Sequence, residues 1–324
     1  MTATVDEFAA ELVVRRRMTA ADGVVTLELV DPEGHELPPW EPGAHIDLLL
    51  DEGLVRQYSL CGDPREAGTW RVGVLLDPNS RGGSQHVHER LREGSAIRVR
   101  GPRNNFPLVD SPKYLFIAGG IGITPMKAMA ESAERAGLDW TMLYLGRTRS
   151  AMAFQQELRD TFGDRVTIWA DDERGGFFDL AAVLAEPADD MVIYSCGPEP
   201  LLAAVEKHCA HWPEGSLHVE RFAAKTPSAE KPADALDSYQ VVCRQSGVTV
   251  EVSDGVPMLE VLEDAGVPIM SSCGEGVCGT CRTAVLEGIP DHRDSLLTDA
   301  ERAAANVILP CVSHSRSEKL ILDI

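Results

Sequence analysis

Three closely spaced cysteines near the C-terminus, followed by a fourth far downstream, constrain this chain more than any other feature of its sequence. Cys273, Cys278 and Cys281 have the spacing C-x4-C-x2-C, and Cys311 is the fourth. A plant-type [2Fe–2S] cluster takes four thiolates at this spacing. The glycines between the cysteines allow the backbone to approach closely and to point N–H groups at the sulfurs. The sequence therefore predicts a loop that holds a one-electron carrier, with these four cysteines as its ligands.

A zinc site is the alternative for the same cysteines, because C-x2-C pairs also bind zinc. Zinc modules use two such pairs, however, whereas Cys311 has only His314 as a possible ligand near it in sequence. The spacing therefore favours the iron–sulfur cluster. Most of the other cysteines are expected to be ordinary buried thiols, because they are not at ligand spacing. They are Cys61, Cys196, Cys209 and Cys243.

Length and composition are those of a globular protein with two or three domains. The chain has 324 residues, of which 44% are hydrophobic and 25% are charged. It has no apolar run of about 18 residues and no secretory signal at its start, so we expect a cytoplasmic protein with reduced thiols and no membrane partner. The net charge of −21 argues against nucleic acid as a partner. The acidic surface serves either solubility or docking onto a basic protein.

Two patterns of apolar residues divide the part of the chain that precedes the cysteines. Up to about residue 108, short apolar runs separated by Pro, Gly and Asp turns indicate a small antiparallel barrel. From about residue 113, buried strands alternate with helices, which indicates a parallel sheet covered on both faces. Pro125 is expected at the first helical position. The predicted strands are 24–29, 45–50, 70–76, 96–99, 114–118, 141–145, 166–170, 191–196 and 217–220, and the predicted helices are 125–136, 154–162, 180–184 and 201–209.

A segment rich in Ala, Pro, Lys and Glu at 223–237 indicates a linker, although a surface loop within one domain would have a similar composition. A new strand pattern follows it at once. Thr298 and Glu301 have the spacing of a capping box, which predicts the start of a short helix. The other elements predicted here are a hairpin of 239–243 and 248–252, a helix at 258–265 and a last strand at 320–322.

Residues 239–324 resemble a plant-type ferredoxin of the β-grasp fold. Preceded by a barrel and a nucleotide domain, they make nearly the whole chain similar to flavoproteins of the phthalate dioxygenase reductase type. This resemblance implies an antiparallel flavin-binding barrel of the ferredoxin reductase-like kind, an α/β parallel-sheet NAD(P) domain and an α+β ferredoxin domain. The predicted boundaries are 1–108 for the barrel, 109–223 for the nucleotide domain, 224–237 for the linker and 238–324 for the ferredoxin domain.

The flavin site is expected at the end of a barrel strand. Arg56, Tyr58, Ser59 and Leu60 match the R-x-Y-S motif of these flavin barrels, although so short a motif also occurs in ordinary strands with an exposed Arg. The resemblance implies that the guanidinium binds the phosphate, the Tyr ring stacks on the isoalloxazine and the Ser hydroxyl reaches the N5 region.

A second segment resembles the turn that binds the FMN phosphate in this family. We find no segment for the adenosine half of FAD, so FMN is favoured. His86 and His88, which follow the turn, are expected to be surface residues of a helix and not ligands. The turn consists of Arg81, Gly82, Gly83 and Ser84.

The nicotinamide site is expected where two predicted strands end, because open α/β sheets bind ligands at the carboxyl ends of their strands. By resemblance, the Cys196 thiol lies beside the nicotinamide ring, Thr124 lies on the same side, and Phe222 covers the flavin. Together with Ser59, these residues are expected to act in hydride transfer. The predicted dinucleotide contacts are Gly119, Gly120, Gly122, Thr124, Pro125, Cys196, Gly197 and Pro198.

NADH is favoured over NADPH. Arg147 and Arg149 follow one strand and could bind a 2′-phosphate, whereas Asp171 and Asp172 follow the next strand and oppose it. Arg147 and Asp171 are therefore predicted to lie near the adenosine ribose. The resembled family is mostly NADH-linked.

The resemblance implies a reductase component of an oxygenase or demethylase system. NADH would supply electrons through FMN and the cluster to a terminal oxygenase, either a Rieske non-haem iron enzyme or a cytochrome P450. We expect the reductase to be a monomer. Two alternatives are a general NADH-dependent flavin or ferric reductase without a dedicated oxygenase, and a ferredoxin-like docking module without electron flow.

Overall fold

The computed structural model describes residues 8–50, 54–78, 82–223, 236–253 and 255–324. Within them the chain forms two compact units, and the boundary lies between Glu220 and Arg221. No helix in this described part is both long and apolar enough to span a membrane. The predicted linker residues 224–235 and the predicted phosphate contact Arg81 lie outside the described residues.

The first unit begins with a six-stranded antiparallel sheet in the order β4-β3-β6-β1-β2-β5. The first strand has two bulges, which let it bend and pair with strands on both sides. A bridge between Leu60 and Val72 joins the two edges, so the sheet closes into the predicted barrel. Its elements are β1 (Ala9–Ala21), β2 (Val24–Val30), β3 (His45–Leu49), β4 (Val55–Ser59), β5 (Trp70–Leu75), α1 (Gly83–Arg90) and β6 (Ala96–Arg103).

A five-stranded parallel sheet follows in the same unit, in the order β11-β10-β7-β8-β9. The chain runs outward from β7 to β9 and then returns to place β10 on the other side of β7. This reversal is a topological switch point, where open α/β sheets bind their ligands. The elements are β7 (Lys113–Gly119), α2 (Ile123–Arg135), β8 (Asp139–Gly146), α3 (Gln155–Phe162), β9 (Val166–Ala170), α4 (Asp171–Arg174), α5 (Leu180–Val183), β10 (Met191–Cys196), α6 (Glu199–Cys209) and β11 (Leu217–Glu220).

Helix α2 joins the barrel to the parallel sheet. Its Ala128 belongs to the apolar core of the barrel, whereas Met126 and Met129 pack in the core beneath the parallel sheet. Cys61, directly after the barrel bridge, and Phe106 also belong to that second core. The barrel and the nucleotide half therefore share a continuous apolar contact.

The second unit is a mixed sheet in the order β13-β12-β18-β14-β16 with a helix packed on it, as expected for a β-grasp ferredoxin. The first strand, β12, pairs in parallel with the last, β18. The predicted capping box is confirmed, because Thr298 Oγ1 accepts from Glu301 N and Glu301 Oε2 accepts from Thr298 N. The elements are β12 (Ser238–Cys243), β13 (Thr249–Ser253), α7 (Met258–Asp264), β14 (Thr283–Glu287), β15 (Pro290–Asp291), α8 (Asp299–Ala304), β16 (Val307–Ile308), β17 (His314–Ser315) and β18 (Lys319–Leu322).

Three local predictions were wrong. Pro125 is the third residue of α2, not the first; its missing N–H is still harmless, since the first four N–H groups of a helix have no partner within the helix. Helix α6 begins at Glu199, two residues before the predicted start at 201. His86 and His88 lie on a helix as expected but are half-buried, and the His88 ring bonds the Val74 carbonyl at 3.0 Å.

Candidate redox site

The predicted flavin-phosphate segments meet at the start of helix α1. Gly82, with φ of 85°, turns the chain into the helix. A Cβ added at Gly83 would lie 2.4 Å from Arg56 Cγ, so the arginine side chain crosses the first helical turn. A guanidinium beside the positive end of a helix dipole makes a site suited to a phosphate. These residues fit the terminal phosphate of FMN.

The rest of the flavin motif is placed less directly. Ser59 is buried at the end of β4, and Leu60 makes the bridge that closes the barrel. Tyr58 is half-buried, and burial raises the pKa of its phenol, which keeps it neutral. The Ser84 hydroxyl accepts from the Asp77 backbone N–H at 3.1 Å, so it also holds the preceding loop.

The two segments predicted for the nicotinamide nucleotide touch at the switch point of the parallel sheet. A Cβ at Gly122 would lie 2.2 Å from the Cys196 carbonyl oxygen, and one at Gly119 would lie 2.5 Å from Leu201 Cδ2. Neither position therefore admits a side chain. The structure brings together Gly119, Gly120, Gly122, Thr124, Pro125, Cys196, Gly197 and Pro198 at the ends of β7 and β10.

The same turn lies against the barrel. A Cβ at Gly73 of β5 would lie only 2.9 Å from Thr124 Cγ2, so the barrel strand approaches the start of α2 closely. Thr124 is buried, and its hydroxyl donates to the Ile121 carbonyl at 2.9 Å. This threonine therefore lies where the glycine turn meets the flavin barrel.

Sequence reasoning missed a carboxyl group beside the Cys196 thiol. Strand β11 pairs in parallel with β10 in a register that places Glu220 opposite Cys196. The thiol donates to Glu220 Oε2 over 3.9 Å. Burial raises the pKa of Glu220 to about 8, which the thiol contact partly offsets, and burial with the nearby carboxyl raises the pKa of Cys196. Both groups therefore hold their protons near neutral pH. The signal that could have revealed this pair is the register between β10 and β11.

We expect this pair to make the stability of the protein depend on pH. Between about 4.5 and about 8, the unfolded Glu220 carboxyl ionises while the folded one keeps its proton. The free energy of unfolding should therefore fall as the pH rises through this window. The free energy of unfolding can change by at most about 1.4 kcal/mol per pH unit for one titrating proton. Because the Glu220 side chain is only half-buried, we expect a shallower slope.

Urea unfolding followed by tryptophan fluorescence across this pH window measures the slope. Glu220→Gln should flatten it, because the amide does not titrate. Equal slopes in the parent protein and the variant would show that Glu220 keeps an ordinary pKa.

Of the charged residues predicted near the adenosine ribose, one arginine is already paired with carboxylates of the protein. Arg149 is held by the Glu173 carboxylate at 2.6 Å, and its backbone N–H donates to Asp172 at 3.3 Å. Arg147 is exposed, and Asp171 begins α4 at the end of β9. An arginine already paired with a carboxylate is less suited to a 2′-phosphate, which agrees with the preference for NADH.

The four predicted cluster ligands lie together in the second unit. The Cys273 thiol contacts those of Cys278 and Cys311, and Cys281 Sγ lies 3.3 Å from Cys311 Sγ. Contact with the neighbouring thiols lowers the pKa of Cys273, and the same contacts raise the pKa values of Cys278 and Cys311, so these thiols lie close enough to share protons. The four soft donors fit a two-iron cluster, which takes four cysteines.

The cluster loop is shaped by its glycines and by a neighbouring loop. Backbone N–H groups donate to Cys273 Sγ and Cys278 Sγ at 3.2 and 3.4 Å, as the sequence predicted. A Cβ at Gly276 would lie 2.5 Å from Val312 Cγ2 and 3.0 Å from Asp294 Cα. The buried Asp294 caps its own loop by accepting from Leu296 N and Leu297 N. Close backbone packing therefore fixes the thiol-bearing loop.

Comparison with known proteins agrees with this geometry. Residues 241–316 match the 2Fe-2S iron-sulfur cluster binding domain family. The chain is 43% identical to phenoxybenzoate dioxygenase subunit beta of Ectopseudomonas oleovorans over 94% of each chain. It is 39% identical to tetrachlorobenzoquinone reductase of Sphingobium chlorophenolicum, over 97% of this chain and 98% of the relative.

The solved structures that are similar over 98% of this chain include the following two. One is an intact type IV self-sufficient cytochrome P450 monooxygenase, with 42% identity and a TM-score of 0.90; this chain spans 41% of its length. The other is phthalate dioxygenase reductase, a modular structure for electron transfer from pyridine nucleotides to [2Fe–2S], with 36% identity, a TM-score of 0.72 and 98% of its length covered. The chain belongs to the phthalate dioxygenase reductase family of iron–sulfur flavoprotein oxidoreductases.

Proposed function

We propose that this chain is the reductase component of an oxygenase or demethylase system, and that it passes electrons from NADH to a separate terminal oxygenase. The observation that carries the proposal is the combination, in one chain, of a closed glycine turn at the switch point and a loop of four clustered thiols. The glycine turn suits a nicotinamide nucleotide, which donates two electrons. The thiol loop suits an iron–sulfur cluster, which carries one electron. The family uses FMN, NADH and a [2Fe–2S] cluster.

The barrel residues hold and orient the flavin. Arg56, with the turn that contains Gly83, binds the phosphate, and Tyr58 and Ser59 lie at the ring end of the site. Bound FMN and the cluster supply the conversion of a hydride into single electrons. The protein contributes binding, orientation and exclusion of water. The predicted phosphate-site residues are Arg56, Arg81, Gly82, Gly83 and Ser84.

The switch-point residues hold the dinucleotide. The glycine turn lets the pyrophosphate approach the start of α2, where the helix dipole favours an anion. Thr124 and Cys196 flank the nicotinamide. The family resemblance assigns Phe222, whose side chain is 43% exposed, to the flavin ring. Arg147 and Asp171 bind the ribose side. The proposal includes the roles of Ser59, Thr124, Cys196 and Phe222 in hydride transfer. It also includes the domain boundaries 1–108, 109–223 and 238–324.

The acceptor is a Rieske non-haem iron oxygenase or a cytochrome P450, and the reductase works as a monomer. The relatives support this choice, since one is named as a dioxygenase subunit and one similar structure carries a P450 in the same chain. The net charge of −21 gives the reductase an acidic surface that suits a basic docking site on that acceptor.

Anaerobic titration of the purified protein with NADH tests the proposal. Absorption bands of flavin and of the iron–sulfur cluster should both bleach, and the reduced protein should support turnover of a purified Rieske oxygenase or P450. A preparation without dithionite-bleachable bands from either group would overturn the proposal and favour the docking-module alternative.

A second function, direct reduction of a quinone, is favoured by the similarity to a tetrachlorobenzoquinone reductase. It is a form of the general reductase considered above. Quinone reduction that is as fast as oxygenase-coupled turnover, and that persists when the cluster is absent, would identify the flavin itself as the exit for electrons.

A further inference from the structure

Helix α2 carries a buried lysine, Lys127, that the sequence patterns did not single out. Its side chain is only 3% exposed, and its ammonium group contacts the Glu131 and Glu157 carboxylates. It also donates to the Cys61 carbonyl at 3.3 Å. A buried ammonium with three acceptors holds its neighbours in a defined geometry, because losing any contact leaves charge unpaired.

The acceptors belong to different parts of the first unit. Cys61 lies two residues after Ser59 of the flavin motif, and Lys127 lies one helical turn after Thr124 of the nicotinamide turn. Glu157 of α3 makes a second connection between the nucleotide half and the barrel. It contacts Lys127 and also accepts from Arg71 of barrel strand β5 at 3.3 Å. Glu131, in contrast, lies on the same helix as the lysine. Among the described residues its hydrogen bond and ion pair are with Lys127, and it acts on Arg65 beside the barrel only through longer-range electrostatics.

Packing around this group is equally close. The Arg71 guanidinium lies 5.0 Å from the Phe154 ring, and a Cβ at Gly73 would lie 2.9 Å from Thr124 Cγ2. Barrel strand β5 therefore packs closely against the first turn of α2, one turn before the lysine that makes these ionic contacts. Burial opposes the charge of Lys127, but the Glu131 and Glu157 carboxylates outweigh it and raise its pKa, so the ammonium stays charged.

We propose that Lys127 is a positioning residue for hydride transfer: by joining Cys61 and, through Glu157, Arg71 to helix α2, it sets the spacing between the flavin motif and the nicotinamide turn. The proposal rests on the proposed function, because it presupposes that NADH reduces a bound flavin. Hydride transfer is sensitive to such spacing, since a displacement of about 1 Å can lower the rate about 100-fold.

The test uses the full chain loaded with FMN and cluster, and stopped-flow mixing with NADH. Lys127→Met should lower the limiting rate constant of flavin reduction, measured per bound FMN, by about 10- to 100-fold. The dissociation constant of FMN should stay unchanged, because the phosphate contacts lie elsewhere. The long-wavelength charge-transfer absorbance of the NADH complex should weaken, which reports ring placement independently of turnover.

A matched pair of variants separates positioning from simple stability. Glu157→Gln and Glu131→Gln each remove one carboxylate from the same ammonium, but Glu157 also pairs with Arg71 of barrel strand β5, whereas Glu131 pairs with Lys127 on its own helix. Glu157→Gln should therefore slow flavin reduction and weaken the charge-transfer band, whereas Glu131→Gln should leave both near the parent values. This pair also serves if Lys127→Met folds poorly.

Two results would overturn the inference. Parent-like rates and charge-transfer absorbance in Glu157→Gln, whatever its melting temperature, would make the network purely structural. Equal slowing in Glu157→Gln and Glu131→Gln would make the effect one of local charge and not of the cross-interface tie. If NADH fails to reduce the flavin of the parent protein, the proposed function itself fails and this inference with it.

Discussion

Replacing Cys278 with Ser should abolish NADH-dependent reduction of cytochrome c while NADH-dependent reduction of ferricyanide continues at the flavin. Cys278 lies among the four clustered thiols, and its sulfur also accepts from Thr280 N. A hydroxyl is a harder and weaker ligand for iron than a thiolate, so the cluster should be lost or greatly destabilised. We expect the cytochrome c rate to fall about 100-fold or more, because even the loss of a residue that only supports a metal ligand lowers metal affinity or activity by about 10- to 100-fold.

Cys243→Ser is the matched control for this variant. Cys243 is buried in the core of the same unit but lies on β12, away from the cluster loop. It should keep the iron content, the visible spectrum and both activities. Equal loss of cytochrome c and ferricyanide reduction in Cys278→Ser would show that electrons do not take the flavin-to-cluster route.

Gly122→Ala should greatly slow the reduction of the flavin by NADH, whereas flavin binding and its reduction by dithionite should not change. The added Cβ would lie 2.2 Å from the Cys196 carbonyl oxygen and 2.4 Å from its carbon, and both are backbone atoms that cannot rotate away. The φ of Gly122 is −60°, a value that alanine adopts freely, so the effect arises from this contact alone. The turn must separate from β10, and displacement on this scale should lower the rate of flavin reduction about 100-fold.

Gly176→Ala controls for the substitution, because nothing lies within 4 Å of the added Cβ and the backbone there needs no glycine. Stopped-flow reduction by NADH, with dithionite reduction as the reference, measures the effect. An unchanged NADH rate in Gly122→Ala would mean that the glycine turn does not contact the dinucleotide.

Local sequence patterns predicted most of the framework. Strands β9, β10 and β11 have the predicted bounds, since short segments rich in apolar and β-branched residues between turns are local signals. The cluster cysteines and the two nicotinamide segments were also identifiable, because their chemistry requires particular residues at fixed spacing. Their assembly follows from topology, since neighbouring parallel strands end at the same edge of a sheet.

The sequence could not reveal contacts that depend on long-range packing. No periodicity in α2 distinguishes Lys127 from an exposed helical lysine, and two of its three acceptors, Glu157 and Cys61, lie outside that helix. The pairing of Arg149 with Glu173 likewise joins residues of separate turns. The Cys196–Glu220 pair depends on the register between two strands, which burial on both faces does not specify locally.

The pairing of β12 with β18 also affects the order in which the second unit can form. Strand β18 lies between β12 and β14, although β12 is made first and β18 last among the strands of this sheet. During synthesis, β12 can pair with β13 at once, but its pairing on the other side depends on a strand that leaves the ribosome much later. Cys311, the fourth thiol of the cluster site, also lies near this last strand in sequence, so the complete ligand set exists only when almost the whole unit has been translated.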